Sequence, residues 1–515
     1  MNRSDEAHLV SDNEDEEFVS NDTPRLLDAA HSGPEADLNP ANAAATPEDN
    51  SSGLGPAKWF ILEPAVFFIF MARSLIGAVI QNQILYQTCV TIMHYNESDC
   101  EPLLGNDRGS EATKKLEVKV QSYSADITMA ISLLESIIPA FVSLFIGPWS
   151  DKFGRRPILL TVFTGYVAGA TILIGIAEVT TFRNISPWWF LLPSVPSVLS
   201  GGTCALITGI YCYISDVANE KRRAVRMVLN EASLCTGLMV GNVASGYIYA
   251  FTGSVILFGI AAGLMLLGLI YVVFLVPESL PPEQMHHGSK IREFFRFSLV
   301  KDLVRTCLLP RANFDRAIIW LTMVALTISI FDMEGENTVS VLFLREQFNW
   351  TIKEISQFNA ARIIIQIVGS VAGMFVLRRV LRVSTVGIAM LALAACVLES
   401  TVRATATVPI EMYVGMTLGM MRGVLGPMCR AILSHVAPGT DVGKIFALTT
   451  SMEMVSPLVA APLYTAVYKA TVAFYPGAFN FISAGMAFLC YILMAIIFGI
   501  VKSMGSGSPY KQIGS

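Results

Sequence analysis

Long apolar runs alternate with short polar stretches over most of the chain. Twelve of these runs are long enough to cross about 30 Å of hydrocarbon as helices. They lie near residues 60–85, 125–149, 158–178, 188–214, 227–250, 255–276, 317–342, 355–377, 385–402, 410–434, 445–470 and 477–501. Helices are predicted because lipid offers free N–H and C=O groups no partner. The pattern therefore predicts an all-α membrane protein, with six spans over 58–276, a linker over 277–316 and six spans over 317–501. The linker carries Pro277, Pro281 and Pro282. The basic amphipathic stretch Arg292-Glu293-Phe294-Phe295-Arg296 that follows reads as a helix on the inner leaflet. Residues 1–57 hold too few apolar side chains to bury a core and read as a disordered acidic tail, with a second short tail over 502–515. The acidic opening residues do not read as a cleavable signal.

Charge in the loops sets an orientation. Lys152, Arg155, Arg156, Lys221, Arg222, Arg223, Arg226, Arg378, Arg379, Arg382 and Lys444 fall on one side, with the run from Lys290 to Arg316. The opposite loops are poorer in Lys and Arg, so both termini are expected in the cytoplasm. Asn96-Glu97-Ser98, Asn184-Ile185-Ser186 and Asn349-Trp350-Thr351 are glycosylation patterns, and all fall on the other side. Asn96 and Asn349 are the preferred acceptors, because Asn184 lies close to a span. In the tails, Asp22-Thr23-Pro24-Arg25-Leu26-Leu27 fits the acidic dileucine sorting pattern, and Tyr510-Lys511-Gln512-Ile513 the tyrosine-based one. Clathrin adaptors would read both from the cytosol, which points to the plasma membrane or to endosomal and lysosomal membranes. Among nine cysteines, Cys89 and Cys100 alone fall outside; whether they pair stays open in the sequence.

Only 15% of the 515 residues are charged, against 53% hydrophobic. A soluble domain carries far more charge. Topology accounts for the basic residues, so nucleic acid is not an expected partner. The informative charges are those inside the runs, since each costs at least a few kcal/mol at mid-bilayer. The cations are Arg73, Arg362, Arg422 and Arg430; the carboxylates are Glu135, Glu231, Asp332, Glu334, Glu336 and Glu453. Carboxylates outnumber arginines, so at least one is expected to lack a cation and to exchange protons. Glu231, Asp332, Glu336, Glu453 and Glu135 are the candidate proton-coupling groups. Depth along the runs suggests three pairs: Glu231 with Arg430 as an inner gate, Glu336 with Arg362, and Arg73 with Glu135. Arginine presents a fork suited to carboxylates and phosphates. Arg73, Arg422 and Arg430 are therefore the candidate contacts for an organic anion.

One turn concentrates more chemistry than any other: Gly147-Pro148-Trp149-Ser150-Asp151-Lys152-Phe153-Gly154-Arg155-Arg156-Pro157. Gly147 allows one helix to approach another, and Gly154 permits the reversal. Asp151 can bond the free N–H groups of a neighbouring helix N-terminus. Arg155 and Arg156 can hold carboxylates or helix C-termini. Such a cluster can latch one conformation and release another. Gly147, Asp151, Lys152, Gly154, Arg155 and Arg156 fit G-x-x-x-D-[RK]-x-G-[RK]-[RK], and the turn resembles the signature of the major facilitator superfamily. The resemblance implies the major facilitator fold, two six-helix bundles working by alternating access. Glycines spaced by four, Gly237 with Gly241, Gly369 with Gly373, and Gly415 with Gly419, suit closely packed helix faces.

Further stretches narrow the resemblance. Glu63-Pro64-Ala65, Glu231-Ala232-Ser233, Arg430-Ala431 with Leu433-Ser434, and Ala470-Thr471-Val472-Ala473-Phe474-Tyr475-Pro476-Gly477 look like solute carrier family 46, over about residues 58–501. That implies a carrier of folates, conjugated small molecules or muropeptides, often driven by protons. By the same resemblance Asp151, Arg155, Glu231 and Arg430 match positions important in the family's folate carrier. The chain departs from that carrier at Gly202, Asp332 and Asn349, where the carrier has Asp, a nearby His and Cys. The departures argue against folate and leave proton coupling to carboxylates.

The expected function is secondary transport of a small organic anion, with protons as the coupling ion and no other cofactor. The substrate is expected between the bundles, against the first, fourth, seventh and tenth spans. The rival reading is a transport-inactive receptor or scaffold, which would have no use for charges inside its spans. An enzyme is not expected: the spans hold no paired-aspartate motif, no H-E-x-x-H and no Ser–His pairing. No Walker-type loop occurs. His286-His287 reads as a solvated loop pair, so no metal is expected.

Overall fold

A computed structural model describes residues 62–104, 111–280, 283, 285, 297–309, 314–350, 352–438 and 441–504. The tail with Leu26 and Leu27, the stretch from Arg292 to Arg296, and the end of the chain with Tyr510 and Ile513 lie outside the described residues. All regular elements among the described residues are helical. Ten of these helices are by themselves long and apolar enough to cross a membrane. Twelve spans emerge from two local events.

The first event is a hinge. The helix Glu220–Leu275 has 56 residues, which straight would rise about 84 Å, far more than a bilayer. At Gly253 the backbone turns to φ 77°, ψ −177°, a conformation open to glycine because it lacks a Cβ. The two arms are the fifth and sixth spans. The second event is a break. The tenth span, expected as one helix over 410–434, runs as Pro409–Leu418, a tight turn Arg422–Val424, and Leu425–Val436. Neither arm alone is long enough to cross, so together they make one span.

The first span is Glu63–Gln87, extended by a wider turn at Thr88–Ile92. Pro64 sits in its first turn, where a missing N–H costs nothing. The second, Glu111–Phe153, continues well beyond the expected 125–149 at the end remote from Asp151. The third is Arg156–Phe182. The fourth is jogged: short turns at Pro187–Leu191 and Ser194–Leu199 lead into Gly202–Val217. The seventh, eighth and ninth are Asp315–Phe348, Ile352–Phe375 and Thr385–Thr405. The eleventh and twelfth are Val442–Thr471 and Ala478–Ser503.

Close packing uses the spaced glycines. A Cβ at Gly237 would lie 2.6 Å from the Phe67 carbonyl oxygen, and one at Gly241 2.4 Å from that of Met71. The fifth span therefore rests backbone on backbone against the first. Across the two bundles, the second span packs on the eleventh, the fourth on the eleventh, and the fifth on the eighth and tenth. Large apolar side chains such as Phe251 and Phe182 stay exposed on the outside, as a lipid-facing surface requires. Between the bundles a short helix, Phe297–Leu308, is tied down by Trp320 Nε1, which donates to the Cys307 carbonyl at 2.9 Å. At the end of the first span, Cys89 and Cys100 are joined as a disulfide, which settles the pairing the sequence left open.

Candidate functional site

The Asp151 turn closes one end of the two bundles. Asp151 accepts from the backbone N–H of Gly443 at 3.0 Å and of Lys444 at 3.2 Å. These N–H groups open the eleventh span and have no intrahelical acceptor. A carboxylate there also meets the positive end of the helix dipole. Arg155 reaches Asp151 at 2.7 Å and Asp216, near the end of the fourth span, at 3.0 Å. The backbone N–H groups of Arg155 and Arg156 donate to Glu278 at 2.8 and 3.2 Å. The Arg156 guanidinium donates to the Val273 carbonyl, close to the C-terminus of the sixth span. Gly147 touches the other bundle so closely that a Cβ would lie 2.4 Å from both the Ala447 Cβ and the Gly443 oxygen. Gly154 has φ 105°. Asp216 and Glu278 did not stand out in the sequence, because a carboxylate at the end of an apolar run looks solvated.

Deeper in, the bundles meet through a guanidinium over a phenol ring. Arg430 bonds Glu453 at 2.6 Å, and its guanidinium lies 4.5 Å over the Tyr211 ring. The Tyr211 hydroxyl donates to Glu231 at 2.7 Å. The expected Glu231–Arg430 pair is therefore not formed; Tyr211 links the two. Glu453 lies on the neighbouring span of the same bundle as Arg430 and can reach it without crossing the interface. Tyr211 gave no signal in the sequence, since a tyrosine in an apolar run reads as core. Thr208 and Thr450 share a hydrogen bond at 2.8 Å, Ser451 donates to the Ala140 carbonyl at 2.8 Å, and Arg223 donates to the Ser434 carbonyl at 2.9 Å. These ties stand at the Asp151 end of the bundles.

The first bundle holds a cavity of about 300 Å³, lined by Arg73, Gln81, Ser132, Glu135, Tyr166, Ser194 and Thr203 among others. Arg73 donates to Tyr166 at 2.8 Å and to the Thr203 hydroxyl. Glu135 accepts from Ser194 at 2.7 Å. The expected Arg73–Glu135 ion pair is not formed, and each residue lines the same cavity with neutral partners. The lining comes from the first four spans and Met265 of the sixth. The seventh and tenth spans, expected to share the site, supply no lining residue.

The second bundle buries a charge network instead. Arg422, at the break in the tenth span, bonds Asp332 and Glu336, each at 2.9 Å, and lies 3.8 Å from Glu399. Arg403 reaches Glu336 at 3.2 Å and Glu399 at 3.7 Å. Tyr464 donates to Asp332 at 2.8 Å and shares a contact with Ser483 at 3.0 Å. The expected Glu336–Arg362 pair is thus replaced by Arg403 and Arg422. Glu399 and Arg403 do not stand out in the sequence because the ninth run ends near residue 402, which puts them at a watery edge. Their i, i+4 spacing was the available signal. Glu334 is half-buried outside this network. At the end remote from Asp151, Asn96 and Asn349 are exposed, and the Asn184 side chain donates to Glu97.

Residues 64–461 match the Major Facilitator Superfamily. Over 443 residues the chain is 32% identical to "Probable peptidoglycan muropeptide transporter SLC46" of Drosophila melanogaster, spanning 85% of each. Over 452 residues it is 23% identical to the proton-coupled folate transporter of Rattus norvegicus, spanning 88% of this chain and 94% of that one. Among solved structures, the human organic anion transporter MFSD10 (TETRAN) superposes with a TM-score of 0.65 at 14% identity, over 85% of this chain and 100% of that one. The superposition shows the fold. The chain belongs to the major facilitator superfamily and, within it, to solute carrier family 46.

Proposed function

We propose that the chain is a secondary transporter that moves a small organic anion with protons, by alternating access. One observation carries this reading. Glu231 in one bundle, bonded to a phenol, faces the Arg430–Glu453 pair in the other through the Tyr211 ring. A contact of that kind has to open when the bundles rock. A proton on Glu231 changes it at the interface, where it can bias the two conformations. Arg73, with its neutral partners, supplies the cationic wall of the cavity in the first bundle. Arg422 has three carboxylates around it and leaves the list of anion contacts.

The end with Lys152, Arg223, Arg379 and Lys444 faces the cytoplasm, and the Asp151 turn latches the conformation open to the other side. Support comes from the positive charge at that end and from the disulfide and exposed Asn96 and Asn349 at the other, since disulfides persist in oxidising compartments. Both tails are then cytosolic. Their sorting patterns, read by clathrin adaptors, point to the plasma membrane or to endosomal and lysosomal membranes. The relatives' names, muropeptide and proton-coupled folate transporters, point to a bulky polar anion.

The experiment replaces Leu26, Leu27 and Tyr510 by Ala to bring the carrier to the cell surface. Uptake of radiolabelled muropeptide and folate is then followed across an acid pH step. Wild-type uptake should rise in acid. Glu231→Gln should lose at least about tenfold of that rise while still exchanging cargo at equal pH. Equal uptake with and without the pH gradient, or a normal acid response in Glu231→Gln, would contradict the reading.

A further inference from the structure

Two members of the charge network in the second bundle make no hydrogen bond to an opposite charge among the described residues. Glu399 is 3% exposed, and its Oε2 is buried with no hydrogen-bond donor. The nearest guanidinium nitrogens, on Arg403 and Arg422, stand at 3.7 and 3.8 Å, beyond hydrogen-bond length. The other two carboxylates each accept a hydrogen bond from a guanidinium, although Glu336 Oε1 is also buried without a donor. Asp332 has Arg422 and Tyr464, and Glu336 has Arg422 and Arg403. The second member is Arg362 on the eighth span. It lies within electrostatic reach of Glu336, Glu399, Arg403 and Arg422. Among the described residues it has no hydrogen-bond or ion-pair partner. Cys396, on the same helix as Glu399, completes the titratable groups around the carboxylate.

We propose that this network binds one proton and one anionic group of the cargo together, the proton on Glu399 and the anion on Arg362. The proposal rests on the transport reading and adds a second site to it. The charges explain the coupling. Asp332 and Glu336 balance Arg403 and Arg422. With a proton on Glu399, Arg362 is left as the uncompensated cation, and a carboxylate or phosphate of the cargo completes the set. Without that proton, Glu399 competes with the anion for Arg362. Each ligand therefore favours the other, and the linkage is reciprocal. The only bond made and broken is the carboxyl O–H. The proton enters from the compartment that supplies the anion and leaves with it on the other side. The network also sits where the tenth span breaks, so filling it acts on a helix already divided.

The test uses the full chain purified in detergent, with a muropeptide bearing a free carboxylate and, in parallel, folate as probes. A pH indicator reads protons taken up on binding. In a Glu231→Gln background, about one proton should still be taken up per anion bound. Adding Glu399→Gln should abolish that uptake and make the affinity independent of pH. Arg362→Gln should weaken binding at least about tenfold, with partial recovery in Arg362→Lys. Undiminished proton uptake in the Glu399→Gln variant, or unchanged affinity in Arg362→Gln, overturns the proposal. Should Glu399→Gln fail to fold, the Arg362 pair and the proton count in the Glu231→Gln background decide alone. Failure of the wild type to take either probe would sink the transport reading and this site with it. Normal uptake with an unaltered proton count would sink this site only.

Discussion

Arg155 is 1% exposed and touches Asp151 and Asp216. Removing one member of a buried ion network costs about 3–5 kcal/mol, because the remaining charges stay buried without a partner. Arg155→Ala should therefore weaken the closed end of the bundles by roughly that amount. The melting temperature of the purified protein should fall, and a cysteine placed at Ser451 should react faster with a water-soluble alkylating reagent. Unchanged reactivity would mean that Arg155 does not hold that end shut. The residues of this turn were legible in the sequence, because their chemistry is local: a glycine without a Cβ, a carboxylate for free N–H groups, a fork for carboxylates. Their partners were not. Asp216 and Glu278 sit at the edges of apolar runs, and only packing sets them against Arg155.

Among the elements, the tenth span depends most on its surroundings. It breaks at Gly419, where a Cβ would run into the Glu399 carboxylate. Overpacking of a tight site costs about 1–3 kcal/mol. Gly419→Ala should lower the melting temperature by several degrees, whereas Gly246→Ala, with nothing within 4 Å of its added Cβ, should leave it unchanged. Equal melting of the two variants would show that the break tolerates a side chain. The apolar run announced one unbroken span here. It breaks where three carboxylates from the seventh and ninth spans gather around Arg422. Likewise the fifth and sixth spans were legible as two runs, and Gly253 turns out to be their entire connection.

For the whole molecule, the question is whether the closed end must open for transport. Thr208 and Thr450 share a hydrogen bond of 2.8 Å across the bundles. A Thr208→Cys, Thr450→Cys double variant should form a disulfide under mild oxidation and lose at least about tenfold of its uptake, with recovery on reduction. Full activity in the cross-linked state would rule out rocking about this contact. By itself the sequence determined the helical fold, the number of spans, the two-bundle plan and the family, because apolar length and local turn chemistry are properties of neighbouring residues. The tertiary structure alone decided which charges meet. Arg430 takes Glu453, Glu336 takes Arg403 and Arg422, and Arg362 has no ion-pair partner among the described residues. Depth along a span can be counted in the sequence, but its rotation and the identity of its neighbours are set by packing. An ion pair that must form within about 4 Å depends on all three.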